Sequence, residues 1–129
     1  MIQYIDSAEG VTPPMLRGFF EGWKKPRTAE EHLEILKNSA HIVLAVDTES
    51  GRVVGFITAL SDGAQAAFIP LLEVLPEHRR RGIGTELVAR LLRKLEGIQC
   101  IDVMCDPDVQ KFYAKFRMRK SVGMILRNY

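Results

Sequence analysis

The sequence predicts a single α/β domain, residues 1–129: a mixed sheet with an antiparallel first half and one parallel crossover behind it, flanked by helices. Three observations predict it. His41 to Val46 and Arg52 to Leu60 are apolar runs on either side of the turn sequence Asp47-Thr48-Glu49-Ser50-Gly51, which reads as an antiparallel hairpin. A nearly continuous apolar run, Ala66 to Leu75, leads through a glycine turn into an amphipathic stretch and a further strand, the pattern of a right-handed parallel crossover. With 129 residues, the chain is long enough to bury a core without disulfides or metals.

The elements follow in order. Ile2 to Ile5 predicts a first strand, ended by Asp6, Ser7 and Gly10. Thr12-Pro13-Pro14 reads as a helix entry, and Leu16, Phe19, Phe20 and Trp23 continue at helical spacing until Pro26. Thr28 caps a second helix carrying Leu33, Ile35 and Leu36, with Glu30 and Glu31 in its first turn. After the hairpin, Ser61-Asp62-Gly63 turns the chain into the strand Ala66 to Leu75. Pro70 cannot donate to a ladder, so it marks an edge or a bulge there. Gly82 to Glu96 is a helix with Leu87, Val88, Leu91, Leu92 and Leu95 on one stripe, and Gly97 ends it. Gln99 to Met104 is the parallel strand. Asp106-Pro107 opens a short helix with Val109, Phe112, Tyr113 and Phe116, and a last strand is expected near Ser121 to Leu126.

Composition narrows the function classes. A formal charge of +2 is too small to argue for nucleic acid, and Arg79, Arg80 and Arg81 have no interleaved aromatics. Cys100 and Cys105 have no partners at zinc spacing, so no metal is expected. No apolar run approaches the roughly 18 residues of a membrane span. A cytoplasmic protein that binds neither membrane nor nucleic acid is the expectation.

The sharpest motif is Arg79-x-x-Gly82-x-Gly84, set between the apolar strand and the amphipathic helix. Glycines let the backbone approach a bulky anion, and the first amides of a helix have no internal partner. Together with the helix dipole, the N–H groups from about Arg80 to Thr85 (Arg80, Arg81, Gly82, Ile83, Gly84 and Thr85) can converge on phosphate oxygens. The motif lacks the third spaced glycine of a dinucleotide fingerprint and the Lys-Ser/Thr ending of a P-loop. An ordinary helix-entry turn is the competing reading.

Val74-x-Pro76-Glu77-x-Arg79-x-x-Gly82-x-Gly84, followed by a leucine-rich helix, resembles the acetyl-CoA-binding motif of the GNAT superfamily of N-acetyltransferases. Phe112-Tyr113-x-Lys115 resembles that family's second signature, and the order of elements matches along nearly the whole chain. The resemblance implies a GNAT-like mixed sheet and acetyl-CoA as co-substrate. It implies that the amides from Arg79 to Thr85 hold the pyrophosphate, and that Val74 and Leu75 bond the pantetheine arm where the two parallel strands splay apart. It also implies a place for Tyr113 beside the thioester sulfur. Two positions depart from the pattern: Asp106 stands where the family often has asparagine, and Arg117 where a glycine usually follows the tyrosine segment. The last helix is therefore expected to end differently. The tail after Met118 has room for one strand where the family commonly has a hairpin, so a homodimer completing the acceptor wall is an expectation to be tested.

The chemistry such a site needs is direct attack of an amine on the acetyl group. A primary amine with a pKa near 10.4 is neutral in only roughly one molecule in two thousand at pH 7, so a base helps. Glu73 is the one ionisable residue in its apolar strand and is the candidate base; a carboxylate facing solvent or paired with an arginine is the alternative. Tyr113 is the candidate acid for the departing thiolate, or else an amphipathic core tyrosine. The acceptor is an amine of a small molecule or peptide. Trp23, Phe19 and Phe20 could line its pocket, and Glu21, Asp47 or Asp62 could attract a cation. Two other classes stay open at this point: an acyl-CoA-binding sensor or interaction module without turnover, and a phosphate-binding protein of another family.

Overall fold

The computed structural model describes residues 1–129. Its sheet has the spatial order β1-β2-β3-β4-β6, with β5 also on β3. The strands are β1 (Ile2–Ile5), β2 (His41–Asp47), β3 (Val53–Ser61), β4 (Ala66–Ile69), β5 (Leu72–Val74) and β6 (Cys100–Val103). β1, β2 and β3 are antiparallel neighbours, while β4 and β6 run parallel, from Ala66 opposite Cys100 to Ile69 opposite Val103. Three helices are α1 (Ala29–Asn38), α2 (Ile83–Lys94) and α3 (Gln110–Ala114). None is long and apolar enough to cross a membrane.

Strand β3 is the spine. All its residues from Val53 to Ala59 are buried, so it is covered on both faces. It pairs with β5 along its first half and with β4 at its end. Helix α2 lies over β2 and β3, seating Leu87, Val88 and Leu91 in the core. Gly55 permits that approach: a Cβ there would stand 3.2 Å from both Ile83 Cγ2 and Leu87 Cδ1. Gly55→Ala is therefore expected to destabilise the fold by about 1–3 kcal/mol through overpacking, measurable by urea unfolding.

Helix α1 is capped as its sequence predicts. The Glu31 amide donates to Thr28 Oγ1 at 3.1 Å, and the Thr28 amide donates to Glu31 Oε1 at 2.9 Å.

Three expectations need correction. The stretch from Thr12 to Trp23 is not a helix: a 3₁₀ turn, Pro13–Leu16, is followed by turns in which Gly18, Phe20 and Gly22 all have positive φ. Those left-handed residues end helical repetition, although Leu16, Phe19 and Phe20 still reach the core. The strand expected over Ala66 to Leu75 is two strands, because Pro70 carries no N–H and breaks the ladder. No strand forms over Ser121 to Leu126, and no backbone–backbone hydrogen bond involves any residue after Arg117.

Candidate active site

The break at Pro70 opens the sheet. The β4–β6 pairing ends at Ile69 and Val103, and β5 then follows β3 alone. The Leu75 amide bonds Val54 O at 2.8 Å, and the Thr58 amide bonds Leu71 O at 3.1 Å. By the alternation of an antiparallel ladder, Leu72 and Val74 turn their N–H and C=O groups away from β3 into the gap. Leu75 instead uses its amide within the sheet and buries its side chain.

At the head of the gap lies the glycine turn. Gly82 has φ +79° and caps α2 in the left-handed region, where a Cβ costs roughly 1–2 kcal/mol. Arg80 also has positive φ, 65°, a conformation seldom adopted without glycine. None of the backbone amides from Arg80 to Thr85 donates a hydrogen bond within the chain, and the first α-helical bond runs from the Glu86 amide to Gly82 O at 3.1 Å. Six free donors thus lie at the positive end of a 12-residue helix. Arg80 and Arg81 are exposed beside them, whereas Arg79 Nε donates to Val74 O at 2.9 Å and ties the turn to β5.

The two sequence motifs meet at Gly84. A Cβ there would lie 3.7 Å from Phe112 Cζ and 4.0 Å from Val74 Cγ2, so α2, α3 and β5 converge on this residue. Lys115 Nζ reaches Thr85 Oγ1 at 3.4 Å and lies 4.9 Å from the centre of the Phe112 ring, placing a positive charge at the turn. Tyr113 is buried beside Phe112. Burial, with a smaller contribution from Cys105, pushes its hydroxyl up to about 12. Arg117 takes φ +67°, the conformation a glycine would adopt, so the last helix ends in the left-handed turn that the missing glycine would have made easy.

Glu73 stands opposite Phe56 across the β3–β5 ladder and is half-buried. Both its carboxylate oxygens accept from the Phe20 amide, at 3.2 and 3.3 Å. Burial raises its pKa above the ordinary glutamate value; the Phe20 amide and Arg79 oppose that rise and Glu21 adds to it. The carboxylate therefore pins the left-handed Phe20, while Trp23, exposed, meets the Phe20 ring edge-on at 4.9 Å. No hydrogen bond joins Glu73 to Tyr113.

Residues 12–117 match the model of the acetyltransferase (GNAT) family. The chain belongs to that family. The GNAT assignment agrees with the mixed sheet, whose closely similar counterpart occurs in a candidate acetyltransferase of Deinococcus radiodurans R1. That structure is 46% identical, with a TM-score of 0.94 over 98% of this chain and 88% of the other. An uncharacterized N-acetyltransferase, ycf52, of Pyropia yezoensis is 31% identical over 98 residues, 73% of this chain. The match spans only 56% of that relative's length. The GNAT fold also recurs, at 18% identity and TM-score 0.70, in AAC(6')-Iy, solved in complex with a bisubstrate analog containing CoA; all of this chain and 98% of that one are covered.

Within this GNAT chain, three features beside the predicted site residues were not readable from the sequence. Lys115 belonged to a recognised motif, but its contact with Thr85 bridges 30 residues of sequence. The Phe20 amide could not be found without the fold, since its positive φ follows from tertiary context. Cys105, half-buried next to Tyr113 in charge terms, carries a thiol raised chiefly by burial.

Proposed function

We propose that this acetyltransferase moves an acetyl group from acetyl-CoA to the amine of a small molecule or peptide. The observation that carries the reading is the set of six unbonded amides from Arg80 to Thr85, set at the head of α2 beside the open edge of β5. A pyrophosphate is matched by a run of free donors, and glycine at position 82 takes its left-handed φ without a Cβ penalty. The residues present fit the CoA group: the amides and Arg80 and Arg81 would hold its phosphates, and Val74 would meet its amide-containing arm. When bound, it supplies an activated acetyl thioester. Glu73 accepts a proton from the incoming ammonium, directly or through water, and its raised pKa brings it closer to that task. Tyr113 would offer its hydroxyl as a hydrogen-bond donor to the sulfur as it leaves.

Calorimetry with CoA and a thiol-release assay across a panel of amines test the reading. Gly82→Glu puts a like charge beside the phosphates and is expected to weaken CoA binding about a hundredfold or more. Unchanged affinity in that variant would remove the glycine turn from the site, and no CoA binding by the parent chain would overturn the function. Tight CoA binding without thiol release on any amine would make the chain a binding module.

A further inference from the structure

We propose that His32, on α1, is a positioning residue of the transfer reaction: its ring holds Phe20 in place, and through the Phe20 amide it aims the Glu73 carboxylate. The proposal rests on the reading of Glu73 as the base that takes a proton from the incoming ammonium.

The amide that Glu73 depends on belongs to a residue with little else to hold it. Phe20 has φ +67°, a conformation that a residue with a Cβ seldom adopts unless its surroundings impose it. Its own stretch imposes little. From Gly18 to Lys25 the one backbone–backbone hydrogen bond runs from the Trp23 amide to Phe20 O, at 3.2 Å. Apart from the Glu73 carboxylate, what fixes Phe20 is its ring, which is fully buried. Phe56 of β3 lies 6.0 Å from that ring, and His32 of α1 meets it edge-on at 5.0 Å. Trp23 is a third neighbour at 4.9 Å, but it is half-exposed and sits on the same sparsely bonded turn.

His32 is built into this cluster at a cost. Neither ring nitrogen has a hydrogen-bond partner, so both have left water with nothing in return. A buried polar group in that state calls for a role other than stability. Its contacts supply one. The imidazole is the smallest aromatic side chain, and it touches Phe19, Phe20 and Phe56 together, tying α1 to the turn and to β3. Leucine would fill similar space without the flat edge that T-shaped contacts use. The anchor is firm, since the His32 amide donates to Thr28 O at 2.8 Å within the capped first turn of α1. Phe56 stands directly opposite Glu73 on the neighbouring strand, so the ring cluster and the carboxylate share one face of the sheet.

The groups that bear on the charge of Glu73 are few. The Phe20 amide and Arg79 favour its carboxylate, while burial and Glu21 oppose it. His32 adds no titration of its own near neutral pH, because burial lowers its pKa to about 4. Loosening Phe20 removes a favourable partner, so Glu73 would keep its proton to higher pH and its oxygens would lose their orientation.

The pH dependence of kcat, with amide NMR on the same proteins, tests the proposal. His32→Leu is expected to move the acid limb of kcat to higher pH and to lower kcat about tenfold at neutral pH, with KM for acetyl-CoA unchanged. Phe20→Leu removes the other side of the contact and should do the same, and the double variant should do no more than either one. In the parent the Phe20 amide resonance should follow the titration of Glu73, and in His32→Leu it should cease to. Loss of folded protein alone would lower activity at every pH and leave the limb in place. An unmoved limb, or a Phe20 amide that still follows Glu73, overturns the proposal. Glu73→Gln separates the two levels. An acid limb that survives in it removes Glu73 as the base, and the proposal with it; a limb lost there but unmoved in His32→Leu removes His32 alone.

Discussion

Tyr113→Phe is expected to lower kcat roughly 10²–10³-fold, the usual loss on removing one hydrogen-bond donor aimed at developing negative charge. KM for acetyl-CoA should change little, because the ring remains packed against Phe112. The pKa near 12 refines the role. A thiol leaves as a thiolate of pKa about 8.5, so full proton transfer from Tyr113 runs uphill, while a short hydrogen bond to the departing sulfur does not. It follows that kcat should show no basic limb from this tyrosine at ordinary assay pH. Normal turnover in the phenylalanine variant, followed by thiol release, would remove Tyr113 from the chemistry. Folding is a separate matter: losing one hydroxyl should cost no more than about 1.5 kcal/mol.

The second large effect concerns acid stability. His32 is fully buried, with neither ring nitrogen hydrogen-bonded, and is packed against Phe19, Phe20 and Phe56 at centroid distances of 5.3, 5.0 and 4.3 Å. Burial lowers its pKa from 6.5 to about 4. The folded chain therefore binds this proton less readily than the unfolded chain. Stability from the neutral ring is complete above pH 6.5 and is lost as pH falls toward 4, to a total of about 3 kcal/mol. Urea unfolding of His32→Leu beside the parent isolates this group from the carboxylates. The stability difference between them should shift in the variant's favour by about 2.5 kcal/mol between pH 7.5 and 4.5. A difference that stays constant with pH would refute the assignment. Because Phe20 and Phe56 flank Glu73, loss of this packing reaches the carboxylate directly.

The sheet, the crossover and the glycine turn were legible because each rests on local rules: alternation, turn residues, and a helical stripe on α2. The unbonded amides from Arg80 to Thr85 follow from local rules too, since a helix start leaves its first amides free, but the Arg79 amide is taken up by Pro76 O at 3.3 Å. The first third was read wrongly where Leu16, Phe19, Phe20 and Trp23 mimic helical spacing. Buried aromatics at intervals of three or four also arise from turns, and Gly18 and Gly22 were the available warning. The segment Ser121 to Leu126 has good strand chemistry but forms no strand, because it has no pairing partner in its own chain and pairing is not a property of the segment alone. Glu73 was visible as a lone charge in an apolar strand. Its partner, the amide of a left-handed Phe20, was not.

The hydrogen bond from Arg79 to the Val74 carbonyl makes the gap beside β5 chemically one-sided. A bare strand edge shows N–H and C=O groups in equal number, but this guanidinium occupies one of the two outward carbonyls and leaves both outward amides, of Leu72 and Val74, unopposed. A visitor rich in carbonyl oxygen is matched there. A foreign strand, whose N–H groups need carbonyl partners, finds only that of Leu72 free there. One arginine side chain thus biases this open edge toward partners that accept hydrogen bonds.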